Sequence, residues 1–200
     1  LQDLLLFHSA KENKLVTLRE YVEKMPEGQP HIYYAAGEST ALLAKLPAAE
    51  RVLEKGYDVL FLTDDVDEFA LQMMHDYDKK EFRNVSGSDL GLESEDEKKA
   101  LEEKNEAHKP LLDAMKEALG GKVAGVRLSA RLKSHPVCLS SEGALSIEME
   151  KVLNSMPTQE KVNSRKVLEL NGEHPVFAVL EKAQESGDKE KLAAYSELLY

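Results

Sequence analysis

The sequence holds one cysteine, Cys138, and no tryptophan. A lone thiol excludes an internal disulfide framework and a Cys-rich zinc module. No apolar run approaches the roughly 20 residues that a membrane-spanning helix needs. The opening LQDLLLFHSA carries Asp3 inside a short apolar stretch, which does not suit a secretory leader. Positive charge is also scarce: 26 Lys and Arg face 37 Asp and Glu, for a formal net charge of −11. Nucleic acid and anionic lipid both need a basic footprint, so neither is an expected partner. The imbalance is uneven, with 21 acids and 12 bases in residues 1–100 against 16 and 14 in residues 101–200. These features predict a soluble, cytoplasmic setting. The absence of an initial Met and the apolar ends (LLLF, SELLY) predict a piece of a longer protein.

Catalytic signatures are missing as well. There is no G-x-G-x-x-G and no G-x-S-x-G. Ala36-Gly37-Glu38-Ser39-Thr40 follows a strand-like run, but it lacks the lysine with which a Walker loop meets phosphate charge. The six histidines, at positions 8, 31, 75, 108, 135 and 174, never pair within a helical turn, so no zinc site is signalled. Asp64 and Asp65 follow the apolar run Tyr57–Leu62, at the end of a strand where α/β sheets bind ligands. Two readings remain open there: the carboxylates hold magnesium for phosphoryl chemistry, as in a free-standing α/β protein, or one of them caps the next helix. Cys138 sits between apolar neighbours and reads as a small buried hydrophobe rather than a nucleophile.

What is present is a regular alternation of elements. Leu4–Phe7, His31–Ala35, Tyr57–Leu62 and Glu81–Val85 read as strands. Between them, Thr17 and Glu20 make a capping box, T-x-x-E, for a helix with Leu18, Tyr21, Val22 and Met25. Pro47 interrupts the next helix, and a third carries Val66, Phe69, Ala70 and Met73. Strand–helix–strand with short joints predicts a parallel sheet with helices on both faces. Residues 1–88 are therefore expected to form a small three-layer α/β/α domain. Residues 89–109 are charged almost throughout and predict an exposed helix or a linker. Residues 110–200 predict a mixed α+β domain. Pro110 opens a helix, and Val126–Leu132 forms a half-buried strand onto which Val137–Leu139 folds back. A helix from Ser140 or Ser141 bears Leu145, Met149, Val152 and Leu153. Val167–Leu170 is a strand, and helices from Pro175 and Glu190 complete the chain.

Several blocks are specific enough to suggest a family. LLLFHSAKENKLVTLREYVEKMPEGQPHIYYAAGES and LEKGYDVLFLTDDVDEFALQMM resemble the end of the middle region of the ninety-kilodalton heat-shock chaperones, the bacterial branch above all. VRLSARLKSHPVCLSS, EMEKVL and KVLELNGEHPVFAVL resemble that family's C-terminal domain. The family is an ATP-driven, dimeric chaperone that remodels other proteins. The resemblance implies that the full-length parent uses ATP and magnesium and binds unfolded clients. It also implies that the nucleotide pocket, the catalytic arginine and the last dimer helices lie outside these residues. The expectations are then a non-enzymatic chain with no cofactor of its own, and self-association in the full-length parent, which has those helices. By position, Phe69 and Gln72 match residues that help hold client. Leu145, Met149, Val152 and Leu153 match an amphipathic client-facing helix, and Cys138 matches a position that modulates communication between domains. Spacing alone reads that helix stripe as core; adaptable Met and Leu contacts also suit a surface that must accept many sequences.

Overall fold

Thr17 and Glu20 form the capping box that their spacing requires: the Glu20 amide donates to Thr17 Oγ1, and the Thr17 amide donates to the Glu20 carboxylate. The helix they start follows a hairpin that periodicity does not reveal. In the computed structural model, which describes residues 2–157 and 160–200, strands β1 (Leu6–Ser9) and β2 (Lys14–Thr17) pair antiparallel, and α1 (Leu18–Glu23) follows. The chain continues through β3 (Ile32–Ala36), α2 (Thr40–Leu43), α3 (Pro47–Glu54), β4 (Val59–Leu62), α4 (Asp67–Met74), β5 (Asp76–Tyr77) and β6 (Lys80–Asn84). Pro47 occupies the first turn of α3, where its missing N–H costs nothing.

These strands make one six-stranded sheet in the order β2-β1-β4-β3-β6-β5. Its centre is parallel, β3 running with both β4 and β6, as strand–helix alternation predicts. Its edges are antiparallel hairpins, so the all-parallel expectation is corrected. A short connection such as Ala10–Asn13 can only return the chain beside itself. The Asp78-Lys79 turn of the second hairpin has both residues at positive φ, 50° and 62°. Tyr33, Ala35, Val59 and Phe61 face one core with α3, and Ile32, Tyr34, Leu60 and Leu62 face the other with α1 and Leu71 of α4. The unit is thus three-layered.

The remaining elements are α5 (Glu95–Ala107), α6 (Lys109–Ala118), β7 (Gly125–Leu128), β8 (Val137–Glu142), α7 (Ile147–Ser155), β9 (Arg165–Leu170), α8 (Pro175–Glu185) and α9 (Lys189–Leu199). The charged stretch forms a helix, α5, started by a Ser94/Glu97 capping box, with no buried residue. By contacts, one compact unit comprises residues 1–92 with 148–162, and the other comprises 93–147 with 163–200. The division differs from the sequence-based one in giving α5 to the second unit and most of α7 to the first.

The second unit is built on a three-stranded sheet, β7-β9-β8, with β9 central. β8 does not fold back on β7 as expected: it pairs antiparallel with β9, and β7 pairs with β9 in parallel. The reason is apolar content. Val167, Leu168 and Leu170 are buried on both faces of β9, which suits the middle of a sheet. Leu111, Leu112, Met115, Leu128, Leu168, Phe177 and Leu180 form its core.

Candidate functional site

Parallel strands β3 and β4 end side by side, with the Gly37 amide bonded to the Leu62 carbonyl at 3.0 Å. Beyond these carboxyl ends lies a small cleft of about 60 Å³. Ala36, Gly37 and Glu38 form one wall and Leu62 to Asp65 another. Glu68 and Phe69 come from α4, and Glu148, Met149 and Val152 from α7. Gly37 fits because a Cβ there would meet the Leu43 side chain at 3.0 Å.

α4 is seated by its polar side. Glu68 is 3% exposed; its Oε1 accepts from the Tyr34 hydroxyl at 3.1 Å and from Asn84 Nδ2 at 2.6 Å. Burial and the neighbouring Glu68 charge push the Tyr34 hydroxyl well above its ordinary range, so it stays protonated and donates. Leu71, one turn on, enters the core. The opposite side therefore turns outward. Val66 is 69% exposed and Met73 82%, with Phe69 and Gln72 half-buried between them. Here the apolar stripe of a helix is its outer face, and a carboxylate lies beneath it.

Neither Asp64 nor Asp65 caps α4. Its N-cap is Val66, without a side-chain cap bond, and the Asp64 carbonyl accepts from the Asp67 amide. Both carboxylates are exposed. The Asp67 carboxyl is held above its ordinary value by partial burial and by the charge of Asp64, opposed by a bond from the Asp64 backbone. Among the described residues no group of three or more His, Cys, Asp and Glu is placed to hold a metal ion, so the magnesium reading finds no ligand set. The cleft does not fit a nucleotide phosphate either, because none of its described lining residues is a lysine or arginine.

The sequence-derived stripe on α7 is only partly a stripe. β8 continues to Glu142, held by its pairing with Arg165, and Gly143 turns the chain at φ 86°. The helix cannot start at Ser140 or Ser141, and Leu145 lies in the loop before it. Met149 is 6% exposed, while Val152 and Leu153 are half-buried. The cleft brings together Phe69, Met149 and Val152, residues about eighty positions apart in sequence. Leu145 belongs to the other unit.

Cys138, on β8, faces Glu169 of β9. Glu169 is 1% exposed, and its two oxygens accept from Arg127 (2.6 Å), Ser140 (2.7 Å), Arg131 (2.9 Å) and Ser129 (2.6 Å). Burial pushes the Glu169 carboxyl up, but the two guanidiniums outweigh it and hold the group below its ordinary value. Burial, then the Glu169 charge, pushes the Cys138 thiol up to about 12, which removes the thiolate at neutral pH. A larger hollow of about 170 Å³ beside α1 is lined by Tyr21, Met25 and Gln29 among others. Its charged groups largely satisfy one another, Lys24 with Glu12 and Lys11 with the Gly56 carbonyl.

The family model described as Hsp90 protein matches residues 1–200. The chain is similar to the chaperone protein HtpG of Clostridium botulinum (strain Langeland / NCTC 10281 / Type F), at 56% identity over 200 residues, which is 100% of this chain and 32% of that protein. The same coverage holds for HtpG of Clostridium perfringens (strain 13 / Type A), at 54%, and of Bacillus velezensis, at 52%. The chain spans about a third of the length of the curated relatives it matches. Two expectations are corrected by this match: that the chain is non-enzymatic, and that it takes no cofactor. The Hsp90 protein model matches this chain along its whole given length. Neither expectation is retained.

Proposed function

We propose a function from one premise: the chain belongs to the Hsp90 protein family. It acts as the client-holding and coupling part of an HtpG-type chaperone in protein folding and the stress response. On this reading it comprises the end of the middle region and the C-terminal domain. The full-length protein would be an ATP- and magnesium-dependent homodimer in the cytoplasm. Its partners are unfolded or partly folded proteins.

The observation that carries the reading is the outward apolar face of α4 and its continuation into the cleft. A helix seated on a buried glutamate, with valine and methionine left in water, runs against ordinary burial. Exposed apolar side chains repeated along one helix face suit a partner surface. Phe69 supplies a stiff aromatic contact, and Met73 and Val152 supply adaptable ones, a combination that accepts varied side chains. Cys138 acts through position rather than reactivity, as a small side chain beside the Glu169 network.

The test is binding of a destabilised, fluorescently labelled client to the chain and to a Phe69→Ser/Met73→Ser variant. The expected result is a several-fold loss of affinity with unchanged circular dichroism. Equal affinity would overturn the assignment of α4.

A further inference from the structure

We propose that the cleft selects client segments that are both apolar and basic: lysine or arginine flanking residues such as leucine and phenylalanine. The inference rests on the client reading above and adds the chemistry of what is held.

The floor is apolar, made by Phe69, Met149 and Val152. The rim is predominantly acidic. Five carboxylates line the cleft, and the described lining includes no basic side chain. Two of the five are committed, Glu68 to Tyr34 and Asn84, and Glu148 to Lys151 at 2.7 Å. Glu38, Asp64 and Asp65 are exposed and, among the described residues, form no ion pair. Asp67, just beyond the rim, has its carboxyl raised first by burial and to a lesser degree by the Asp64 charge. An apolar segment laid on the floor strips water from this rim. A client carboxylate brought there adds repulsion in a lowered dielectric, whereas an ammonium or guanidinium is attracted.

The same charge argues against a second copy as the occupant. Residues 1–92 carry 17 acids and 10 bases, so two such faces repel each other.

The experiment measures binding of two labelled peptides with the same leucine and phenylalanine core, one flanked by lysines and one by glutamates. It uses this chain at low and high salt. Exposed charge pairs of this kind should favour the lysine peptide by about tenfold at low salt, shrinking as ions screen the rim. The Asp64→Asn/Asp65→Asn variant should lose most of that preference, and its fold should hold because both side chains are exposed and unpaired. Equal binding of the two peptides, with Phe69→Ser weakening both, would overturn the charge preference and leave the client reading standing. Binding indifferent to Phe69→Ser would overturn both. Concentration-dependent dimerisation lost in Phe69→Ser would also overturn the proposal by making a second copy the occupant.

Discussion

Glu169 anchors a buried charge network in the second unit, and Glu169→Gln measures what that network is worth. The carboxylate accepts from Ser129, Ser140 and two guanidiniums, and Arg131 is itself 5% exposed. Neutralising it removes a buried counter-charge from both Arg131 and Arg127. Breaking a buried pair from one side costs about 3–5 kcal/mol. With an m-value of about 2 kcal/mol/M, the urea midpoint should fall by roughly 2 M. Arg127→Met is the internal control. Its side chain is 32% exposed, and Glu169 keeps Arg131 and both serines, so the cost should be about 1 kcal/mol. The effect should also depend on pH. The Glu169 carboxyl is depressed in the folded state, so its stabilisation is complete above the ordinary value of 4.5 and is lost as pH falls through the depressed one. Urea melts of wild type and variants between neutral and acidic pH read both effects. The reasoning is refuted if Arg127→Met costs as much as Glu169→Gln, or if the gap between wild type and Glu169→Gln does not narrow in acid.

Three further outcomes follow from the same geometry. Cys138 should react with a thiol reagent at neutral pH roughly a thousandfold more slowly than a free cysteine, because a thiol near 12 leaves so little thiolate; rapid labelling of the folded chain would contradict this. Tyr34→Phe should cost about 1–2 kcal/mol in a urea melt by removing one donor from buried Glu68, with far less effect on client affinity than Phe69→Ser. Lys79→Gly should stabilise the β5–β6 hairpin by about 0.5–1 kcal/mol, since glycine relieves a side chain held at φ 62°; a lower thermal midpoint would contradict it.

The parallel centre of the first sheet was legible because β3, β4 and the helices between them carry strong apolar runs and cap signals, down to the reciprocal Thr17/Glu20 bonds. The two edge hairpins were not. β2 is four residues long, with lysine and leucine exposed, and β5 is two, too short for any periodicity to register. In the second unit the alternation of Val126 to Leu132 hid which strand was central, because pairing depends on partners far along the chain. The candidate site was half legible. Resemblance pointed to Phe69 and Met149, and the structure places both at one cleft. Periodicity marks an apolar face on α4 but cannot tell whether it points in or out. Buried Glu68 decides that, and bonds from Tyr34 and Asn84, 34 and 16 residues away, help make such burial tolerable. Leu145 was misplaced for a related reason: its spacing fits a helix, but pairing with β9 keeps that stretch extended.

The outward face of α4 is tested most directly by comparing it with an equally exposed residue elsewhere. Met73 and Leu198 are both 82% exposed. A photo-crosslinking side chain placed at each in turn, in the presence of an unfolded client, separates a binding face from mere accessibility. The account predicts client adducts at Met73, lost when Phe69 becomes serine, and few at Leu198. Equal adducts at the two positions would contradict it.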